Sequence, residues 1–205
     1  MRKPKIRELK EAVEAFFKGP YTHPFPKEPT PVPDTLRGKP KFNQDECIGC
    51  GACHEVCPPR AIDMDEIEVD GKMIRRLTQH YDICIFCGQC EYHCTTKEGI
   101  KLTTEYELSG FDRSEMIDIC EKEMIRCELC GKYFATIDQL KWLADKLGTR
   151  AFTNMNFILV RGEELGLIDK TAERDDRKVT RMDNVRILCP ECKRNVIDTE
   201  EWGPY

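Results

Sequence analysis

Eight cysteines between residues 47 and 94 have the type and spacing to build redox centres. The first run reads Cys47-Ile-Gly-Cys50-Gly-Ala-Cys53-His-Glu-Val-Cys57-Pro58, and the second, 37 residues on, reads Cys84-Ile-Phe-Cys87-Gly-Gln-Cys90-Glu-Tyr-His-Cys94. Two residues between cysteines let three thiolates of a tight loop reach three corners of one 4Fe-4S cluster, while the fourth cysteine points away. With two such runs, each fourth cysteine serves the cluster of the other. This spacing assigns Cys47, Cys50, Cys53 and Cys94 to one cluster, and Cys84, Cys87, Cys90 and Cys57 to the other. Structural zinc sites rarely crowd four cysteines into 11 residues, and disulfides need an oxidising compartment.

Four further cysteines come late, in Cys127-Glu-Leu-Cys130-Gly-Lys and Cys189-Pro-Glu-Cys192-Lys. Paired C-x2-C turns free backbone N–H groups to bond sulfur and together give a tetrahedral all-thiolate site. Zinc is the expected metal at Cys127, Cys130, Cys189 and Cys192, with mononuclear iron or free thiols as the alternatives. Cys120 is left over and reads as a buried apolar thiol. His54, His80 and His93 fall near the cysteine runs without a pattern that assigns them a role. No Ser–His–Asp arrangement, phosphate loop or Gly-rich dinucleotide fingerprint is present, so a self-sufficient enzyme is not expected.

The elements around these residues must hold them with little core. Of 205 residues, 40% are hydrophobic and 8% aromatic, so bound metal is expected to supplement a modest apolar interior. There is no N-terminal apolar run of the secretory kind and no run of 18 apolar residues. Thirteen thiols then point to a reducing cytoplasm. Residues 1–46 carry +3, residues 47–110 carry −5, and the net charge is −5. An acidic cluster region disfavours nucleic acid, and with it a zinc-ribbon adaptor reading.

Residues 5–17 place Ile6, Leu9, Val13, Phe16 and Phe17 at helical spacing, with Lys and Arg around them, and Gly19-Pro20 stops the helix. Such a helix docks on a partner or lies on a membrane surface, and partner docking is the preferred reading. Seven prolines from Pro20 to Pro40 call for an extended arm, with Tyr21, Phe25 and Phe42 as anchors on other subunits. Ile62–Asp65 and Glu66–Arg75 read as strands about an Asp70-Gly71 hairpin turn. Gly99–Leu108 alternates and mirrors the strand after Cys57, giving one half of a repeat per cysteine run. Ser114–Met124 reads as helix. Thr136 caps a helix ending at Gly148, Phe157–Ile168 is helical, and Ala172–Lys178 is charged and exposed.

Arg37-Gly38-Lys-Pro40, the two cysteine runs, Thr-Glu-Tyr-Glu-Leu at 104–108 and the late cysteine pairs resemble a known subunit. It is the two-cluster ferredoxin-type subunit of formate hydrogenlyase and energy-converting, membrane-bound nickel–iron hydrogenases, related to the two-cluster subunit of respiratory complex I. One departure is Cys94-Thr95, where such motifs have Cys-Pro. The resemblance implies an α+β chain: an arm over 1–41, a two-cluster ferredoxin-like domain over 42–110, and a helical zinc-ribbon-like module over 111–205. It implies an electron-relay subunit that is not itself catalytic, attached through partner subunits to the cytoplasmic face of a membrane. Ferredoxin or another low-potential donor would supply it. The alternatives are the same role in a sulfane-sulfur reductase or complex I-like oxidoreductase, or a soluble ferredoxin-type subunit.

Overall fold

The computed structural model describes residues 5–28, 30–167 and 180–198, so the charged stretch expected at 172–178 lies outside the described residues. The chain divides into two compact units, residues 1–36 and 37–205. In the first, helix α1 spans Ile6–Lys18. The Glu8 carboxylate accepts the Lys5 N–H at 2.9 Å, and Gly19, at φ +73°, closes the other end by donating to Ala15 O. No α1 residue is buried, and Ile6, Phe16 and Phe17 are each more than 80% exposed. Residues 19–36 form no helix or strand among those described, as their prolines require.

The second unit begins with strand β1 (Pro40–Phe42), and its first close contact explains Arg37-Gly38-Lys-Pro40. Gly38 N–H donates to Thr103 O at 2.8 Å and Lys39 N–H to Glu105 O at 2.7 Å. A Cβ on Gly38 would stand 2.2 Å from Glu105 O, so only glycine admits this approach. β1 pairs antiparallel with β4 (Ile100–Leu102), Phe42 opposite Ile100. The alternation expected over Gly99–Leu108 therefore yields a short strand, continued by backbone bonds to Glu105. Phe42, expected on the arm as an outward anchor, is buried in the core, while Tyr21 and Phe25 are exposed.

Strands β2 (Ile62–Val69) and β3 (Lys72–His80) form the expected hairpin. Asp70 and Gly71 both take positive φ, +53° and +75°, which matches the right-handed twist of the flanking strands. The helix expected over Ser114–Met124 is instead a 3-10 turn at Arg113–Glu115 followed by strand β5, Ile117–Arg126. The reason is tertiary. β3 has a free edge opposite β2, and β5 takes it with Leu77 across from Cys120 and Thr78 across from Ile119. Lys72 pairs with Glu123, and Arg76 with Glu121, so charges that suit a helix face become cross-strand partners. Strand β6 (Tyr133–Thr136) completes an antiparallel sheet ordered β2-β3-β5-β6. This sheet crosses residue 110, where the sequence reading places a domain boundary.

Helix α4 (Ile137–Leu147) starts where expected, with Thr136 Oγ1 accepting the Gln139 N–H at 3.2 Å, and Gly148 ends it at φ +56°. Helix α5 (Met155–Glu164) packs on it; Val160 joins Leu140, Ile125, Ala135 and Ile187 in one apolar cluster. The last helix described, Pro190–Asp198, carries proline in its first position, where the missing N–H is harmless.

Candidate functional site

The two cysteine runs fold alike. Short helices α2 (Ala52–Glu55) and α3 (Gln89–Tyr92) follow the second cysteine of each run. The left-handed backbone positions repeat at the same 37-residue offset: Gly49 with Phe86, Gly51 with Gly88, and Arg60 with Lys97. These turns bend the chain so that successive sulfurs face inward. At Gly51 the fit is close as well, because a Cβ would lie 2.7 Å from Met64 Sδ.

A small cavity of about 20 Å³ is lined by Cys47, Cys50, Cys53 and Cys94, closed by Phe42, Ile48, Leu77 and Ile100. Cys94 comes from the second run. Burial raises the pKa of both Cys84 and Cys90, and the charge of Cys57, from the first run, adds to both. Cys94 therefore lines one cavity with the first three cysteines, and Cys57 lies within electrostatic reach of Cys84 and Cys90. Cys53 is pushed up to about 12, first by burial and then by Cys47, Cys50 and Cys90. Cys90 rises to about 11, burial again leading. Thiols gathered in this way resist ionising together, and a cationic iron core is the partner that relieves their repulsion. The donor set fits two such clusters.

Other groups meet the sulfurs. Ala61 N–H donates to Cys57 Sγ at 3.2 Å and Phe86 N–H to Cys84 Sγ at 3.4 Å. Thr95 and Thr96 place hydroxyls on Cys50 and Cys94, at 3.2 and 3.4 Å. Cys120, fully buried, bonds Cys47 and is the leading cause of that thiol's fall to about 7. Its apolar reading therefore needs an addition: it packs in the core and touches a candidate ligand. The histidines turn elsewhere. His54 Nδ1 lies 2.6 Å from Ile62 O, His80 Nε2 lies 3.0 Å from Asp63, and His93 stacks edge-on against Tyr92.

Far along the chain, the sulfurs of Cys127, Cys130, Cys189 and Cys192 all lie within 4.8 Å of one another. The Cys130–Cys189 separation is 3.8 Å, the edge of a tetrahedron with bonds of about 2.3 Å. Gly131, at φ +76°, returns its N–H to Cys127 O in the first turn. Burial opposes ionisation of Cys127, but N–H groups of Cys130, Cys189 and Leu129 outweigh it and bring that thiol down to about 7. The second turn is held by a residue the sequence did not single out. Asn156, buried on α5, donates to Leu188 O at 2.7 Å and accepts Leu188 N–H at 3.1 Å. A polar amide among apolar α5 residues was the available signal.

A family model for the 4Fe-4S dicluster domain matches residues 46–97. NADH-quinone oxidoreductase subunit I 2 of Geobacter metallireducens is 31% identical over 128 residues, 58% of this chain and 95% of that protein. The chain belongs to the NADH-quinone oxidoreductase subunit I family. Formate hydrogenlyase subunit 6 of Escherichia coli is 33% identical over 124 residues, covering 60% of this chain and 67% of the relative. The NAD(P)H-quinone oxidoreductase subunit I of Gloeobacter violaceus is 34% identical over 100 residues, but the chain spans only 47% of its length. A chain from the structure of an archaeal membrane-bound sulfane sulfur reductase aligns over 57% of this chain and 61% of its own, with 28% identity and a TM-score of 0.39. No helix among the described residues of this subunit I relative is long and apolar enough to cross a membrane.

Proposed function

We infer that this chain is an iron–sulfur relay subunit of a membrane-bound respiratory complex, carrying two 4Fe-4S clusters and passing electrons singly between partner subunits. What supports the reading is that Cys94 lines one cavity with Cys47, Cys50 and Cys53 while Cys57 lies near Cys84 and Cys90. A bound 4Fe-4S cluster supplies one-electron storage without binding substrate. The protein's part is to hold and shield it. Cys47, Cys50, Cys53 and Cys94 would ligate one cluster and Cys84, Cys87, Cys90 and Cys57 the other, while Phe42, Leu77 and Ile100 keep water from the first. Cys53 and Cys90 belong to one buried cluster, and the charge of Cys90 acts on Cys53, so the two sets would lie side by side.

Zinc at Cys127, Cys130, Cys189 and Cys192 would be structural, since four thiolates leave no open position. Attachment would be peripheral, on the cytoplasmic face, with ferredoxin or a similar low-potential protein as donor. Purification of the tagged full chain from native membranes in mild detergent tests this. Expected are partner membrane subunits and roughly eight irons and eight acid-labile sulfides per chain. Recovery of the chain alone, or with about four irons, would overturn the reading.

A further inference from the structure

The first run leaves its loop through Cys57-Pro58-Pro59, and the second through Cys94-Thr95-Thr96. Two hydroxyls therefore stand where the repeat has two rings without a donor. Both meet sulfur. Thr95 Oγ1 lies 3.2 Å from Cys50 Sγ, and Thr96 Oγ1 lies 3.4 Å from Cys94 Sγ. Both sulfurs line the first cavity. A cluster-bound thiolate has no proton, so in each pair the threonine must donate. Thr96 is oriented for it, because its oxygen already accepts Gly99 N–H at 3.0 Å, leaving its own hydrogen for sulfur. Among the described residues, no hydroxyl bonds a sulfur of the second set, where Cys57 and Cys84 accept from backbone N–H groups.

Reduction adds negative charge to a cluster and its thiolates. A donor aimed at sulfur stabilises the reduced form more than the oxidised one and so raises the potential. Two largely buried cations flank the same loop, but each is offset by a carboxylate, Arg75 by Glu66 at 2.8 Å and Lys122 by Asp138 at 3.0 Å, so they add little to the hydroxyls' effect. Arg75 Nη1 donates to Gly49 O at 3.2 Å, and Lys122 Nζ to Gln44 O at 2.6 Å. Burial acts oppositely, since Cys47 and Cys53 are buried at the first site but only Cys90 at the second. We propose that the Thr95 and Thr96 hydroxyls outweigh burial and give the first site the higher reduction potential. A single electron given to the chain then rests with Cys47, Cys50, Cys53 and Cys94. Transfer within the chain oxidises the second site and reduces the first by one electron, with no bond or proton exchanged.

This inference rests on the two-cluster reading, and one experiment separates the two. Iron-loaded full-length chain is titrated with reductant under electron paramagnetic resonance, the two signals being assigned with Cys50→Ser and Cys87→Ser. Wild-type chain should show the first site reduced before the second. Thr95→Val with Thr96→Val, which removes both hydroxyls but keeps their shape, should lower the first site's reduction equilibrium by about tenfold, ~59 mV for one electron. The second site should not move, and the pair Thr95→Ser with Thr96→Ser should stay at the wild-type values. Half-buried Thr96 should account for more of the shift than exposed Thr95. A first site that titrates below the second in wild type, or that is unmoved in the valine pair, overturns the proposal. Wild-type iron far below roughly eight atoms would instead sink the two-cluster reading.

Discussion

Thr136 holds two parts of the molecule with one hydroxyl, and its removal gives the sharpest test of how they are joined. The side chain is fully buried at the end of β6. Its oxygen accepts Gln139 N–H and so caps α4, while its hydrogen goes to Ile48 O in the first cysteine loop. Thr136→Val keeps the shape and deletes both bonds. Loss of the cap costs about 0.5–2 kcal/mol. Leaving the Ile48 carbonyl buried without a donor costs about 1–3 kcal/mol more. Taken together, about 1.5–5 kcal/mol of stability should go. With a urea slope of about 2 kcal/mol/M, the midpoint should fall by about 0.8–2.5 M.

Bound metal complicates a single unfolding constant, so the iron-loaded chain should be followed by two signals in parallel. Helical circular dichroism reports α4, and visible absorption reports the clusters. Both curves should shift together, because the same hydroxyl serves both elements. Thr136→Ser, which retains the hydroxyl, should stay within about 1 kcal/mol of wild type. A helix signal that moves while the absorption does not would refute the coupling, as would a shift below ~0.3 M in both.

Cys94→Ser should abolish the resonance signal of the site built by Cys47, Cys50 and Cys53 and spare the other; loss confined to the Cys84 set would refute the exchange of fourth cysteines. Gly38→Ala forces a Cβ against the Glu105 and Thr103 carbonyls, at 2.2 and 2.7 Å, and should cost about 1–3 kcal/mol. Hydrogen exchange should show Gly38 and Lys39 amides deprotected, and unchanged protection would count against the close approach. Cys189→Ser should lower zinc from about one atom per chain to near none while iron stays at roughly eight, as read by metal analysis; iron lost along with zinc would contradict separate sites.

What the sequence shows plainly is what is encoded over a few residues. Cysteine spacing predicts which sulfurs gather, since the loop is short enough to determine its own geometry. Asp70-Gly71 and the Thr136 cap are equally local. Pairings between distant segments are not. Ser114–Met124 has acceptable helix composition, and only the open edge of β3 makes it a strand. Phe42 resembles the exposed aromatics of the arm until β1 pairs with β4 and turns it inward. Phe86 adopts φ +51° without the glycine that marks Gly49, because the loop around Cys84 and Cys87 demands that turn whatever residue fills it. Thr95 was legible as a missing proline, but its bond to Cys50 spans 45 residues and needed the fold.

The misread strand changes how the cysteine sets relate. β5 carries Cys120 against Cys47 and ends immediately before Cys127. Seven residues of extended chain place those two cysteines about 23 Å apart, beyond useful electrostatic reach in salt. A metal held at Cys127 therefore acts on the first site through register rather than through charge. Pinning the end of β5 fixes its pairing with β3, and a slip of one residue would turn Cys120 away from Cys47 and put Ile119 or Glu121 in its place. Phe42 N–H, which donates to Asp118 at 2.8 Å, and Gln44 Nε2, which donates to Ile119 O at 2.6 Å, tie the same strand to the chain entering the first loop. A metal at the late cysteines would thus steady the register of β5 against the first loop without being needed for the clusters to be held.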